Sequence, residues 1–153
     1  MANTYSQIYI QTVFAVENRI SLITDQWREE LHKYITGIIQ NHKHKIIAIN
    51  SMADHIHIFI GLKPIQSISD LLQDIKEYSS KRVNKNKFVI GHFNWQAGYG
   101  AVSYSHSQID NVVRYIQNQK QHHQKKTFKQ EYIEFLEKFH VEYDERYIFK
   151  DVV

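Results

Sequence analysis

The chain has 153 residues, 42% of them hydrophobic, with a formal net charge of +3. That content supports a folded core and excludes disorder as the default reading. The absence of cysteine excludes disulfides, thiolate metal sites and thiol nucleophiles together.

No stretch approaches the roughly 20 apolar residues that span a bilayer, and no leader pattern opens the chain. The expectation is therefore a single cytoplasmic domain over residues 1–153 with no membrane association. The basic charge is uneven. Lys76, Lys81, Arg82, Lys85 and Lys87 face one acid, Glu77, and a second run from Lys120 to Lys129 includes Lys125 and Lys126. Either run alone reads as a solvated helix face.

In chain order, residues 5–16 are rich in β-formers and predict a strand. Thr24 or Asp25 can cap a helix to about Asn41, in which Trp27, Leu31, Tyr34, Ile35 and Ile38 repeat at helical spacing. A strand is expected over 45–51 and another over 55–62, joined at Ala53-Asp54. Ser67 or Ser69 caps a helix to about Val83. Residues 93–104 predict a strand broken at Gly98 and Gly100. Helices follow over 108–122 and 129–139, then an acidic, aromatic tail over 141–149. Strand, helix, strand, strand, helix, strand is the α+β, ferredoxin-like order: an antiparallel sheet with helices packed on it.

Two constellations stand out. In His55-Ile56-His57, residues two apart on a strand share a face. The imidazoles therefore project together, and Ile56, Ile58 and Ile60 point the other way. Two histidines leave a metal site incomplete. On the helix over 108–122, Ile109, Val112, Val113 and Ile116 form an apolar stripe, and Tyr115, Gln119 and His122 share a stripe beside it. A phenol at Tyr115 can act as a nucleophile, and the Gln119 carbonyl oxygen can serve a hard divalent ion.

Asp54-His55-Ile56-His57, then Trp95-Gln96-Ala97-Gly98-Tyr99-Gly100-Ala101, then Tyr115-Ile116-x-Asn118-Gln119-x-x-His122-His123 resembles the single-tyrosine HUH transposases of the insertion-sequence 200/605 family. The resemblance implies that His55, His57 and Gln119 ligate Mg²⁺ or Mn²⁺ and that Tyr115 attacks a DNA phosphate, giving a 5′-phosphotyrosine that a 3′-hydroxyl later reverses. It implies single-stranded DNA with hairpins as the partner, and a homodimer with composite active sites. The basic residues Lys76, Lys81, Arg82, Lys85 and Lys87 are the expected backbone contacts, with Trp95 and Tyr99, beside Phe93, either stacking on unpaired bases or serving as core and turn residues of the broken strand. Other readings are a domesticated relative acting on chromosomal hairpins, a non-catalytic hairpin-binding module, and a structural metal site that adds His122 and His123.

Overall fold

Alternation in the first strand decides the layering of the whole molecule. In the computed structural model, which describes residues 3–148 apart from the side chains of His122 and Tyr147, that strand is β1, Tyr9–Ala15. It is followed by α1 (Arg28–Asn41), β2 (Lys45–Ser51), β3 (His55–Gly61), α2 (Ile68–Lys85) and β4 (Gly100–Tyr104). The strands lie in the order β2-β3-β1-β4, every pair antiparallel. This is the expected ferredoxin-like α+β arrangement. Beyond β4 come α3 (Ile109–Gln117), α4 (Gln119–His122), α5 (Phe128–Lys138) and α6 (Glu145–Ile148). No helix among the described residues is long and apolar enough to cross a membrane.

The sheet is covered on both faces. On one, Ile56, Ile58 and Ile60 of β3 and Phe14 of β1 pack against Leu31, Ile35 and Ile39 of α1 and Leu71, Leu72 and Ile75 of α2. On the other, Val13, Ala15 and Phe59 pack against Val112 and Ile116 of α3 and Phe128, Phe135 and Leu136 of α5. The pairing Val13↔His57 and Ala15↔His55 puts both histidines on this second face. A bulge between Ile46 and Ala48 sets the register of β2, so that Asn50 pairs with His57.

Helix starts depend on which oxygens accept the first orphan amides. Ser67 caps α2, accepting the Asp70 amide at 3.1 Å. Thr127 and Gln130 form a reciprocal capping box at the start of α5. The expected caps of α1 do not act so: the helix opens at Arg28, the Thr24 carbonyl accepts its amide at 3.0 Å, and Asp25 pairs instead with the Arg28 guanidinium.

Two expected elements are corrected. The helix over 108–122 is interrupted at Asn118 (φ −95°, ψ 22°), because Asn50 of β2 donates to the Ile116 carbonyl at 2.8 Å and ends α3 from outside. The broken strand over 93–104 is a strand only from Gly100. Before it, Trp95 makes a single bridge to Val16, and the chain turns through Gly98 at φ +88°. Gly100 is tightly packed, since a Cβ there would lie 3.0 Å from the Tyr132 hydroxyl, which would have to give by a few tenths of an ångström. The tail forms α6 at 145–148, and Phe149 lies outside the described residues.

Candidate metal and tyrosine site

β3 delivers His55 and His57 into the layer between the sheet and α3–α5, where they are 0% and 1% exposed. Each ring is held from behind. His55 Nδ1–H donates to the Asp54 carboxylate at 2.7 Å, and Gln11 Nε2 donates to His57 Nδ1 at 3.0 Å, while Tyr104 donates to Gln11 Oε1 at 2.9 Å. Phe128 stacks on His55 with ring centroids 3.9 Å apart. These contacts fix ring orientation, as outer partners of metal-binding imidazoles do.

The Nε2 atoms point inward at oxygens. Gln119, 0% exposed, brings Oε1 to 3.3 Å from His55 Nε2. Glu131 of α5, 6% exposed, brings Oε1 to 3.0 Å from His57 Nε2 and 3.6 Å from His55 Nε2. His123 Nε2–H is shared between Gln119 Oε1 at 3.2 Å and Glu131 Oε1 at 3.3 Å. His55, His57 and Glu131 thus form a buried group whose ligand atoms all lie within 4.8 Å of one another and which can hold a divalent metal.

Charge within the cluster is uneven. Burial opposes ionisation of Glu131, but hydrogen bonds from His123 and His57 outweigh it and hold the carboxyl well below the usual range. Burial dominates at His57 and pushes its pKa down, against the pull of Glu131. At His123 burial is overcome by the hydrogen bond and charge of Glu131, and its pKa rises. Glu131 is thus favoured as the anion, and its charge favours the protonated form of His123. His55 Nε2 faces the Gln119 and Glu131 oxygens. A buried carboxylate converging with imidazole nitrogens and an amide oxygen is a donor set that can take a cation.

Tyr115 stands beside this cluster, half-buried, its ring 5.8 Å from that of His57 at 84°. It borders a cavity of about 390 Å³ lined also by Tyr104, Asn111, Lys126, Glu131 and Glu134. Burial first, then the charge and hydrogen bonding of Glu131, raise its pKa far above the ordinary tyrosine value, and Gln119 opposes this. The phenol keeps its proton at rest. A groove on the far side of the cluster is lined by Asp54, His123, Lys125 and Lys126.

The structure therefore brings together His55, His57, Tyr115 and Gln119, the set expected from the motifs. The side chain of His122 lies outside the described residues. The expected DNA-contacting residues are scattered. Lys81, Arg82, Lys85 and Lys87 are exposed on or just after α2, the helix that packs on the opposite face of the sheet from the histidines. Lys76 is not a free contact. It donates to the Gln96 and Gly98 carbonyls at 2.9 and 2.6 Å, and burial lowers its pKa to about 8. Trp95 is corrected to a core residue: it is 8% exposed, its indole N–H donates to Ser79 at 2.9 Å, and Phe14 and Phe93 pack around it. Phe93 is buried too, whereas Tyr99 is 38% exposed.

Glu131 and His123 are site residues that the motifs do not single out. A trace exists for Glu131. It occupies the buried stripe of α5 with Phe128, Phe135 and Leu136, an acid where the helical period asks for an apolar residue.

Comparison with known proteins fits this geometry. The family model described as Transposase IS200 like matches residues 4–119. The ISDra2 transposase TnpA of Deinococcus radiodurans is 22% identical over 119 residues, 74% of this chain and 84% of that protein. Among solved structures, a transposase from Deinococcus radiodurans aligns with a TM-score of 0.60 at 20% identity, over 78% of this chain and 96% of that one. A REP-associated tyrosine transposase bound to a REP hairpin aligns with a TM-score of 0.61 at 16% identity, over 100% of this chain and 92% of that one. At such identities the two structures speak for the fold alone. The family match ends at Gln119, so His123 and α5 lie beyond it. Since that match covers most of the chain, the protein belongs to the IS200-like transposase family.

Proposed function

We propose that this protein cuts and rejoins single-stranded DNA at hairpin-flanked ends through a 5′-phosphotyrosine on Tyr115, with a divalent ion held at His55 and His57. The observation that carries the reading is the placement of a half-buried phenol against a buried cluster of imidazole nitrogens and side-chain oxygens, at the edge of a cavity. A hairpin-binding module needs no such cluster beneath its surface.

The donor set fits Mg²⁺ or Mn²⁺. It combines neutral imidazoles with amide and carboxylate oxygens, and imidazole favours manganese of the two. When bound there, such an ion supplies charge to offset and orient a phosphate. The chain's own groups do the rest. Asp54 and Gln11 keep the imidazoles aimed, and α3 carries Tyr115 on a rigid element. In the chemical step the phenol oxygen bonds to the scissile phosphorus, the bond to the 3′ oxygen breaks, and the phenol proton ends on the departing 3′-hydroxyl. Attack by a 3′-hydroxyl on the phosphotyrosine reverses the exchange, so no external energy source is consumed. The exposed Lys81, Arg82, Lys85 and Lys87 and the exposed ring of Tyr99 are the proposed DNA contacts, and a hairpin is the proposed ligand, as in the REP-hairpin relative. A homodimer with composite sites is part of the same proposal.

The test is incubation with single-stranded hairpin DNA and Mn²⁺, followed by a denaturing gel. The wild type should form a covalent protein–DNA adduct that maps to Tyr115. Tyr115→Phe should form none yet bind the hairpin within about twofold of wild type, because the phenol oxygen is the nucleophile and not a binding group. An adduct from the phenylalanine variant removes Tyr115 from the role. Hairpin binding without an adduct from the wild type favours the non-catalytic module.

A further inference from the structure

Glu131 reaches the histidine pair from α5, outside the stretch that the family match covers. We propose that Glu131 is a metal ligand, so that the ion is held by His55 Nε2, His57 Nε2 and Glu131 Oε1, with Gln119 Oε1 as a fourth donor. The inference rests on the divalent-ion reading of His55 and His57 given above.

Geometry is the first argument. Adjacent ligands of an octahedral ion bound at about 2.1 Å stand about 3.0 Å apart. Glu131 Oε1 lies 3.0 Å from His57 Nε2 and 3.6 Å from His55 Nε2, and Gln119 Oε1 lies 3.3 Å from His55 Nε2. The second argument is charge. His55, His57 and Gln119 offer neutral donors, and a divalent ion buried among them needs an anion. Glu131 is the anionic member of the converging set. It sits on the apolar stripe of α5, where a buried carboxylate needs partners, and the imidazoles of His57 and His123 pair with it.

The surrounding residues fit the same role. His123 Nε2–H bridges the Glu131 and Gln119 oxygens and so positions both. For His57 to offer its Nε2 lone pair, the Gln11 amide must turn so that its oxygen accepts Nδ1–H, and the Tyr104 hydroxyl can rotate to accept from the amide nitrogen.

The test is Mn²⁺ binding by the full chain, read by titration calorimetry and by the electron paramagnetic resonance signal of free Mn²⁺. Circular dichroism melts check the fold of each variant. Glu131→Gln should weaken binding at least about tenfold, the lower end of what the loss of outer partners alone costs a metal site. Glu134→Gln removes the same charge from the next turn of the same helix and should change binding less than about twofold. Glu131→Asp keeps the charge but draws the carboxylate back by one methylene. It too should weaken binding, which separates ligation from charge and serves if the glutamine variant does not fold. Wild-type affinity in Glu131→Gln or Glu131→Asp would overturn the inference and leave the divalent-ion site standing. Unchanged Mn²⁺ affinity with slower adduct formation would overturn it in favour of Glu131 acting on the Tyr115 proton. A wild type that binds no Mn²⁺ would overturn the metal site as well.

Discussion

β3 has two faces, and they are opposites built from one alternating strand. Toward α1 and α2 it presents Ile56, Ile58 and Ile60, each 0–1% exposed, in an apolar layer. Toward α3 and α5 it presents His55, His57 and Phe59, equally buried, in a layer that also contains Gln11, Gln119 and Glu131. Burying the first set lowers the free energy of folding in proportion to its area. Burying the second costs free energy unless every polar group is paired, and here the imidazoles, Gln119 and Glu131 pair with one another. The first face is an apolar core, whereas the second sets a polar cluster among apolar residues such as Val13, Ala15, Phe128 and Phe135. Among the covering helices, α1, α2 and α3 fall inside the family-matched stretch and α5 falls outside it.

The most severe trial of this division is a pair of neighbouring substitutions. Ile58→Ala should cost about 2–5 kcal/mol of stability through lost burial and the cavity left behind, measured by urea unfolding. His57→Gln keeps a polar side chain in contact with Glu131 and should cost far less stability, yet on the proposed function reduce adduct formation at least about a hundredfold, because an amide would not replace the proposed imidazole ligand held from behind by Gln11. If His57→Gln unfolds as readily as Ile58→Ala, the polar layer is structural and the division fails.

A smaller effect is expected where a polar group borders the apolar layer. His32 of α1 bonds to the Ser51 hydroxyl at 2.8 Å, and burial first, then the Arg28 charge, hold its pKa down at about 4. The folded pKa lies below the unfolded one, so the unfolded chain takes up the proton first as pH falls. His32 has no effect on stability above about pH 6.5 and destabilises progressively from there toward pH 4. Between about pH 7.5 and pH 5 the loss is at most about 2 kcal/mol, and partial exposure reduces it. The measurement is unfolding of wild type and His32→Gln at both values. The variant should lose less stability on acidification, and an equal loss would place the acid sensitivity elsewhere.

Much of this architecture is legible in the residues, for reasons that differ from place to place. The alternation of His55-Ile56-His57-Ile58 is a local period of two and specifies both faces of β3 without help. Tyr115 and Gln119 share a stripe at a spacing of four, and the interruption at Asn118 still leaves Gln119 Nε2 donating to the Tyr115 carbonyl at 3.4 Å. The interruption itself is not local. It comes from Asn50, 66 residues away in sequence, reaching the Ile116 carbonyl. Trp95 reads either as a base-stacking aromatic or as a core residue of the broken strand, and the fold decides for the core, with Ser79, Phe14 and Phe93 around it. Glu131 escapes notice. Its partners His55 and His57 come from a strand more than 70 residues earlier, and the acids around it on α5 read as a solvated surface.

The mildest prediction compares the two covering layers directly, through their helix caps. Thr127 accepts the Gln130 amide at 3.2 Å and caps α5, and Ser67 accepts the Asp70 amide at 3.1 Å and caps α2. Either residue changed to Ala should cost about 1 kcal/mol. The consequences should separate. Thr127→Ala loosens the helix that carries Glu131 and stacks Phe128 on His55, so amide-exchange protection should fall over 128–138 and Mn²⁺ affinity should fall with it. Ser67→Ala loosens a helix on the far face and should lower protection over the first turns of α2 with Mn²⁺ affinity unchanged. Equal effects of both caps on Mn²⁺ would mean that the layers respond as one body. An effect of Thr127→Ala alone ties the site to a helix that the family match does not include.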